Sequence, residues 1–419
     1  MMEQSREVRF FQAVQFLTYW AVGLWSYYIL YLRNLGFGSR EIGLLNAVGT
    51  GVTLVALPVL GVISDKIRSP RKMLAVCLIF AALLFPAVPL LGVAAGRSLW
   101  LFTTLTAVML IFRKPIPTLL DSWSGAEMNR LDVNYGMIRL YGSIGFTAIS
   151  VPAGFLIGSA LPDWAGCACM PLMVIPVLAL MLGRRGRACE AAPREKQERS
   201  IRTRELLRCV LRNYYFLSYL LLVLAIGFFL AVTEVYYSYI MDGAGVSRVY
   251  IGLVSGIRAL WEVAVMLLVA KIRRRPPSWL LLTLSGLMIG AEHLLYHSGT
   301  GLPFILLAVF FTGVGGGIYY GTGNSYLFRI VDTRAATTAL SLAGFLMSGI
   351  YIGVSAAGGA VIERYGVTVV TDGLAAIVIL LTALFAAATA FGRYVLKLPY
   401  QCEKFVMDDG TVRVVKTSS

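Results

Sequence analysis

Charged residues are scarce in this chain of 419 residues. Only 14% of the residues are Asp, Glu, Lys or Arg, against about 25% in a typical soluble domain. Hydrophobic residues make up 58% of the chain, and the mean hydropathy is +0.75. This composition excludes an ordinary globular protein.

Cysteine and histidine are also scarce, with six and two copies. The cysteines are spread over apolar runs and over segments that we assign to the reducing side of a membrane, so we expect no disulfide framework. Metal clusters, nucleophile motifs and nucleotide-binding loops are not visible, and the polar loops are short. We therefore expect no enzymatic activity, no cofactor and no metal site.

Long apolar runs are the dominant feature of the sequence. A helix that spans a bilayer needs roughly 20 mostly apolar residues, whereas barrel strands show alternation over about ten. The first run is too long for a signal-peptide core, so we interpret it as a retained span. The chain is therefore predicted to be an all-α membrane protein, with spans at 10–32, 41–63, 73–93, 99–121, 136–160, 166–183, 214–241, 250–271, 278–296, 302–328, 337–362 and 370–393.

Lys and Arg are distributed unequally between the two sides of the predicted membrane. With the N-terminus in the cytoplasm, 28 of the 37 lie in cytoplasmic segments and five in outer ones. This asymmetry follows the positive-inside rule and predicts that both termini are cytoplasmic. It also accounts for the net charge of +15 without a nucleic-acid partner.

The spans fall into two related groups of six. A basic cytoplasmic linker at 184–213 separates a bundle at 1–183 from a bundle at 214–393, which is followed by a cytoplasmic tail at 394–419. The pair YY at 27 recurs at 236, and the triplet IGL at 42 recurs at 251, both with an offset of 209. Parallel six-helix repeats are typical of transporters whose binding site lies midway, between the halves.

Several charged residues remain inside the predicted spans, where charge is costly and usually faces a cavity, a partner or an ion path. The basic ones are Arg113, Lys114, Arg139 and Arg258. The acids are Asp121, Glu234, Glu262 and Glu292, and the last precedes His293.

Helical spacing suggests which of these charges share a face, since residues four apart are neighbours. Arg113 and Asp121 lie two such steps apart, and Arg258 lies one step from Glu262. Asp121 with Arg139, and Arg258 with Glu262, are each either a structural ion pair or part of a ligand site, and the sequence leaves both interpretations open. Arg113 and Lys114 make the local balance positive, which favours anionic ligands.

Two motifs then resemble the fourth and fifth helices of the major facilitator superfamily. They are "PIPTLLD" (115–121) and "YGMIRLYGS" (135–143), and they are most similar to the branch of phenylpropionate permeases, nucleoside permeases and the lactose permease. The resemblance implies two pseudo-symmetric six-helix bundles. The lactose permease holds its sugar with an acid and an arginine at the same eighteen-residue spacing. By that resemblance, Asp121 and Arg139 contact substrate.

The loop "GVISDKIRSPRK" (61–72) resembles the superfamily's cytoplasmic gating loop. The resemblance implies that the gating residues are Gly61, Asp65, Lys66, Arg71 and Lys72. The segment "IRALWEVAVMLLVAKI" (257–272) is similar to the eighth helix of the branch, with Glu262 at its acidic position.

Two positions depart from the family pattern. Family members often carry an arginine in the ninth helix and a histidine or other polar residue early in the tenth. Here those helices read "LSGLMIGAEHLL" and "FTGVGGGIYYGTGNSY", without that arginine or histidine. Proton coupling would then depend on Glu262, together with Glu234 or the pair Glu292 and His293.

The sequence thus predicts a secondary transporter that takes up a small polar or anionic organic solute with protons. The predicted location is the bacterial inner membrane, with lipids as neighbours and a monomeric state. An exporter of the same fold and a ligand sensor that does not transport remain alternatives. The substrate-binding candidates are Asp121, Arg139, Arg113, Lys114, Arg258, Tyr27, Tyr236, Asn324 and Tyr320.

Overall fold

The fold is almost entirely helical in the part of the chain that the computed structural model describes. That part comprises residues 2–67, 69–95, 98–131, 133, 136–157, 161–162, 164–183, 203–272, 276–298, 301–331, 335–399, 404–408 and 411–415. Most of the predicted linker, at 184–202, lies outside it.

The described residues of the first half form nine helices and one 3-10 turn. They are α1 (Met2–Val22), the turn Gly23–Trp25, α2 (Ser26–Asn34), α3 (Ser39–Ile67), α4 (Pro70–Ala95), α5 (Leu99–Arg113), α6 (Pro115–Arg130), α7 (Gly136–Leu156), α8 (Ala165–Ala168) and α9 (Met170–Gly183).

The second half follows the short helix α10 (Thr203–Arg212), which belongs to the predicted linker. Its elements are α11 (Tyr214–Gly243), the 3-10 turn Arg248–Tyr250, α12 (Ile251–Lys271), α13 (Ser278–Ser298), α14 (Leu302–Ile330), α15 (Ala336–Tyr365), α16 (Val367–Ala390) and the π-helical turn Phe391–Val395. The tail forms an antiparallel pair, β1 (Lys404–Asp408) and β2 (Thr411–Val415), with Lys404 opposite Val415.

Each predicted span coincides with a helix or a pair of consecutive helices. Among the described residues, ten segments are long and apolar enough to cross a membrane. The other two predicted spans, 10–32 and 136–160, correspond to the divided pair α1–α2 and to α7. The all-α membrane fold is confirmed, whereas the count of twelve crossings stays a prediction.

The fourth predicted span differs from the structure in two ways. We expected one helix ending near Asp121, but the helix is divided at Lys114 and then continues to Arg130. Pro115 starts α6, because proline lacks an N–H and is best tolerated in the first turn of a helix. A hydrogen bond of 2.5 Å from Arg130 to Glu127 joins two side chains in the polar last turn.

The two halves meet along two helix pairs, α3 with α15 and α7 with α12. At the predicted outer end, Ser39 donates a hydrogen bond of 2.9 Å to the carbonyl of Gly359. An ion pair of 2.5 Å joins Arg33 of α2 to Asp242 of α11, and Arg33 also donates to the carbonyl of Ser238 at 2.9 Å. These contacts hold the halves together at the predicted outer end.

A repeated joint of tyrosine and glycine forms the centre of this interface. Tyr27 donates to the carbonyl of Ser150 in α7, and a side chain at Gly252 of α12 would collide with that carbonyl. In the other pair, Tyr236 donates to the carbonyl of Ser355 in α15.

Gly43 of α3 completes the second joint, because a side chain there would collide with the carbonyl that Tyr236 contacts. Small residues let membrane helices approach closely. The repeated sequences at 27–28 and 42–44 thus correspond to a repeated piece of structure. A further repeat, Ser-x-x-x-Gly at 150–154 and 355–359, lies on the opposite side of each joint and escaped the sequence analysis.

Candidate functional site

A cavity of about 250 Å3 lies between the two halves. Its charged lining consists of Arg113 from α5, Glu234 from α11 and Arg258 from α12. Trp25 and Phe146 contribute aromatic surface. An apolar cavity of about 150 Å3 accommodates benzene, and drug-sized pockets measure about 300–1,000 Å3. The cavity therefore has room for a small organic molecule.

Arg113 is held in place by an aromatic ring. Its guanidinium carbon lies 3.9 Å from the centroid of Trp25. That ring packs in turn against Tyr28 and Phe85, with centroid distances of 4.9 and 5.4 Å. The Nε atom of Arg113 is buried and has no hydrogen-bond partner in the described part of the chain. The guanidinium is therefore oriented but retains an unused donor.

Glu234 faces this guanidinium from the other half. Its Oε1 atom lies 3.9 Å from Nη1 of Arg113 and 3.8 Å from Nζ of Lys114. Glu234 also accepts a hydrogen bond from Tyr351, and the Lys114 ammonium lies 4.7 Å from the centroid of the same ring. The helical spacing suggested that Arg113 and Lys114 pair with Asp121, but they approach Glu234 instead.

Arg258 connects the cavity to a second carboxylate, Glu262, one turn further along α12. The two side chains are electrostatic neighbours, and Arg139 of α7 lies close enough to act on Glu262 as well. A Cβ at Gly316 of α14 would lie 3.5 Å from Oε2 of Glu262. The glycine thus leaves room beside the carboxylate. Glu262 is flanked by one arginine from each half.

Asp121 lies about 12 Å beyond Arg113 toward the predicted cytoplasmic side, since a helix rises about 1.5 Å per residue. The guanidinium carbon of Arg139 lies 4.4 Å from the ring centroid of Tyr19. Gln15 donates to Asp121 Oδ1 at 3.4 Å and to Ser124 at 3.1 Å. Both charges act on the Tyr19 hydroxyl, so the structure brings them to one place at the α1, α6 and α7 contact.

Glu292 and His293 are fully buried inside the second half, not at a lipid interface. Tyr296 donates to Glu292 Oε1 at 2.5 Å, and the other carboxylate oxygen lies 3.9 Å from Nδ1 of His293. Nε2 of His293 has no hydrogen-bond partner among the described residues. Tyr237, which lines the cavity, is hydrogen-bonded to Tyr296. A chain of polar side chains therefore runs from the cavity to this buried pair.

The remaining binding candidates fall into two groups. Tyr320 and Asn324 are exposed on α14, and Tyr320 is an electrostatic neighbour of Glu262 and Arg258. Tyr27 and Tyr236 are buried, and backbone carbonyls accept their hydroxyl hydrogens in the two joints. Their contacts are those of interhelical braces.

The predicted gating residues lie at the junction of α3 and α4. Gly61, Asp65 and Lys66 are in the last two turns of α3, and their side chains fall outside the described part. Arg71 and Lys72 occupy the first turn of α4, where the Lys72 amide donates to the Ser69 hydroxyl at 3.4 Å. The gating role stays a prediction.

Sequence reasoning missed the aromatic residues that orient these charges. Each of them contacts a charged side chain named above: Trp25, Tyr351, Tyr19 and Tyr296. The partners of the first three are distant in the sequence and on other helices. An aromatic content of 12% does not indicate which aromatic residues contact charged side chains. Only Tyr296 stood in a detectable position, four residues after Glu292 on one helix face.

Comparison with known proteins decides the family. The model of the MFS_1 like family matches residues 10–371. The chain belongs to this family. It is therefore a membrane transporter and not an enzyme, and the family resemblance inferred from the sequence motifs is confirmed. The bacterial relatives and the apolar helices also establish a multi-pass protein of the plasma membrane.

Two curated relatives and one solved structure illustrate the range of the family. The maltose permease of Geobacillus stearothermophilus is 26% identical over 81% of this chain and 84% of its own length. The probable 3-phenylpropionic acid transporter of Escherichia coli (strain K12) is 24% identical, over 71% and 74%.

The structure of a mutant form of the nucleoside transporter NupG superposes with a TM-score of 0.75 at 16% identity. It covers 91% of this chain and 99% of that one. This likeness shows the fold alone. The two-bundle architecture expected from the internal repeat is thereby supported.

Proposed function

We propose that this family member is a secondary active transporter that takes up a small polar or anionic organic solute together with protons. The observation that carries the proposal is the charged cavity between the halves, where Arg113 and Glu234 face each other across the interface. A site between two repeats is well placed to open to each side in turn. The relatives named above differ in solute, so the cavity is the better guide to this chain.

We assign the proton to Glu262. Its carboxylate is the only acid in the eighth predicted span, and it lies between Arg258 and Arg139. Protonation of Glu262 removes a charge from the contact between the halves. It therefore changes the free energy of moving the two halves relative to each other. Substrate held beside Arg113 and Glu234, and a proton held by Glu262, would then cross the membrane together when the halves change position.

The test uses the purified protein in proteoliposomes. Counterflow of labelled monocarboxylates, nucleosides and disaccharides identifies a substrate, and an imposed pH gradient measures coupling. We expect gradient-driven accumulation in the wild type. The variant Glu262→Gln should keep counterflow but lose the response to the gradient, because it cannot exchange the proton.

The exposed Glu363 provides a matched control. Glu363→Gln makes the same chemical change away from the cavity and should behave like the wild type. Proton coupling fails as a proposal if the gradient never alters accumulation of a confirmed substrate. Binding without counterflow would instead indicate a sensor.

A further inference from the structure

Glu234 presents its carboxylate to two cations across the cavity. It lies in the middle of the 30-residue helix α11, yet its side chain keeps 37% of its surface accessible because it faces the cavity. Two cations from the other half approach the same oxygen, Oε1. Two cations from one half and a carboxylate from the other thus meet beside the cavity.

The contact between these charges is loose. The two nitrogen–oxygen distances, 3.9 Å to Arg113 and 3.8 Å to Lys114, exceed the 2.7–2.9 Å of a charge-assisted hydrogen bond. The buried Nε of Arg113 lacks a hydrogen-bond partner in the part of the chain described here. A stable structural ion pair would use these donors. Here they remain available to a second carboxylate, which guanidinium groups bind in bidentate fashion.

The surroundings of these charges indicate the rest of the ligand. Trp25, Ile29, Phe146 and Leu230 give the cavity apolar and aromatic walls. A compact apolar body fits against them, and about 250 Å3 leaves room for one ring or a short branched chain, compared with about 150 Å3 for benzene. The lining also includes the hydroxyl groups of Thr233, Ser238 and Ser255, so the small volume, rather than a lack of polar partners, argues against a disaccharide.

We propose that the substrate is a monocarboxylate with a compact apolar or aromatic body, and that Glu234 is its internal competitor. The ligand carboxylate replaces that of Glu234 at Arg113 and Lys114, and Glu234 turns into the space of the cavity. Glu234 is then a residue that sets specificity, because only an anion can displace it. This inference rests on the proposed transport function, whose solute class it narrows.

The distinguishing prediction is a gain of affinity. We would measure equilibrium binding of 3-phenylpropionate and of its neutral amide to the full-length protein in detergent at pH 7. Glu234→Gln removes the competing charge and should bind the acid about tenfold tighter, the effect of one lost charged competitor. Its affinity for the amide should stay within about twofold.

Three further variants complete the design. Glu234→Asp keeps a competing charge and should gain less affinity for the acid than Glu234→Gln, whereas the matched control Glu363→Gln should remain close to the wild type. Lys114→Gln removes one of the two cations and should bind the acid about tenfold more weakly, without affecting the amide. This last variant tests the role of the two cations even if Glu234→Gln does not fold, which gel filtration would reveal.

Several outcomes overturn the inference. Acid binding that is weaker or unchanged in Glu234→Gln would show that Glu234 braces the halves or contacts the ligand. An equal gain for the amide would exclude charge competition, and so would a wild type that does not bind the acid.

Transport measurements separate this inference from the proposed function. A wild type that carries uridine or maltose but does not bind the acid retains the function and refutes the inference. If the wild type binds the acid and Glu234→Gln binds it more tightly, but neither transports anything, the inference is supported and the proposed transport function is refuted.

Discussion

At the scale of single residues, the ring of Trp25 is expected to determine how strongly Arg113 binds an anion. A desolvated cation–π contact contributes about 0.5–2 kcal/mol, and the guanidinium lies 3.9 Å from the ring centroid. Trp25→Leu should therefore weaken binding of a carboxylate ligand about two- to thirtyfold. Trp25→Phe, which keeps a ring, should lose less. Equilibrium binding to the purified variants measures both effects.

Trp100 supplies the control for this substitution, since it is 84% exposed at the start of α5. Trp100→Leu deletes the same side chain away from the cavity and should bind normally. Unchanged affinity in Trp25→Leu would mean that the contact with Glu234 of α11 suffices to orient Arg113.

Counting charges in apolar runs located the important residues but could not pair them. Arg113, Lys114 and Glu234 stood out because buried charge is costly. Their mutual contact joins helices from different halves, and only tertiary packing brings such helices together. The helical spacing favoured Asp121 as the partner, since it reports neighbours on one helix only. Aromatic partners such as Tyr351 gave no separate signal, because tyrosine is common throughout the chain.

At the scale of helices, Gly252 is expected to be essential for the contact of α12 with α7. A Cβ there would collide with the carbonyl of Ser150, so Gly252→Ala should force the helices apart and cost about 1–3 kcal/mol. Gly344→Ala is the matched control, because nothing described lies within 4 Å of its Cβ position. Alanine there should be neutral or slightly stabilising, since it is the better helix former.

Thermal unfolding in detergent distinguishes the two substitutions. We expect a lower Tm for Gly252→Ala than for the wild type, and no decrease for Gly344→Ala. If Gly252→Ala and Gly344→Ala have the same Tm, the helices at the joint accommodate the added methyl group without loss of stability. The symmetric change Gly43→Ala should behave like Gly252→Ala, because it meets the carbonyl of Ser355 in the same way.

Hydropathy predicted the helices well and their interruptions poorly. A run of apolar residues must form a helix in a bilayer, because every backbone group needs an internal partner there. The breaks at Gly23–Trp25 and at Lys114 depend on local packing and on proline chemistry, which leave the apolar character unchanged. The polar turns of α6 up to Arg130 were missed for the opposite reason, since they lie beyond the apolar run.

At the scale of the whole molecule, the distribution of positive charge predicts the orientation. Because 28 Lys and Arg lie in segments assigned to the cytoplasm and five in outer ones, both termini should be cytoplasmic. A reporter that is active only in the cytoplasm should be active when fused after Ser419, and one that requires export should be inactive. The reverse result would mean that the molecule is inverted, and the direction of transport would have to be reassigned.

The joint of Tyr27 with Gly252 and the joint of Tyr236 with Gly43 bear on how the substrate specificity of such a transporter can change. Each joint consists of a main-chain carbonyl, the tyrosine hydroxyl that donates to it and a glycine that leaves room for the carbonyl. None of these four residues lines the cavity, so substitutions in the cavity wall can change the ligand while the connection between the halves stays the same.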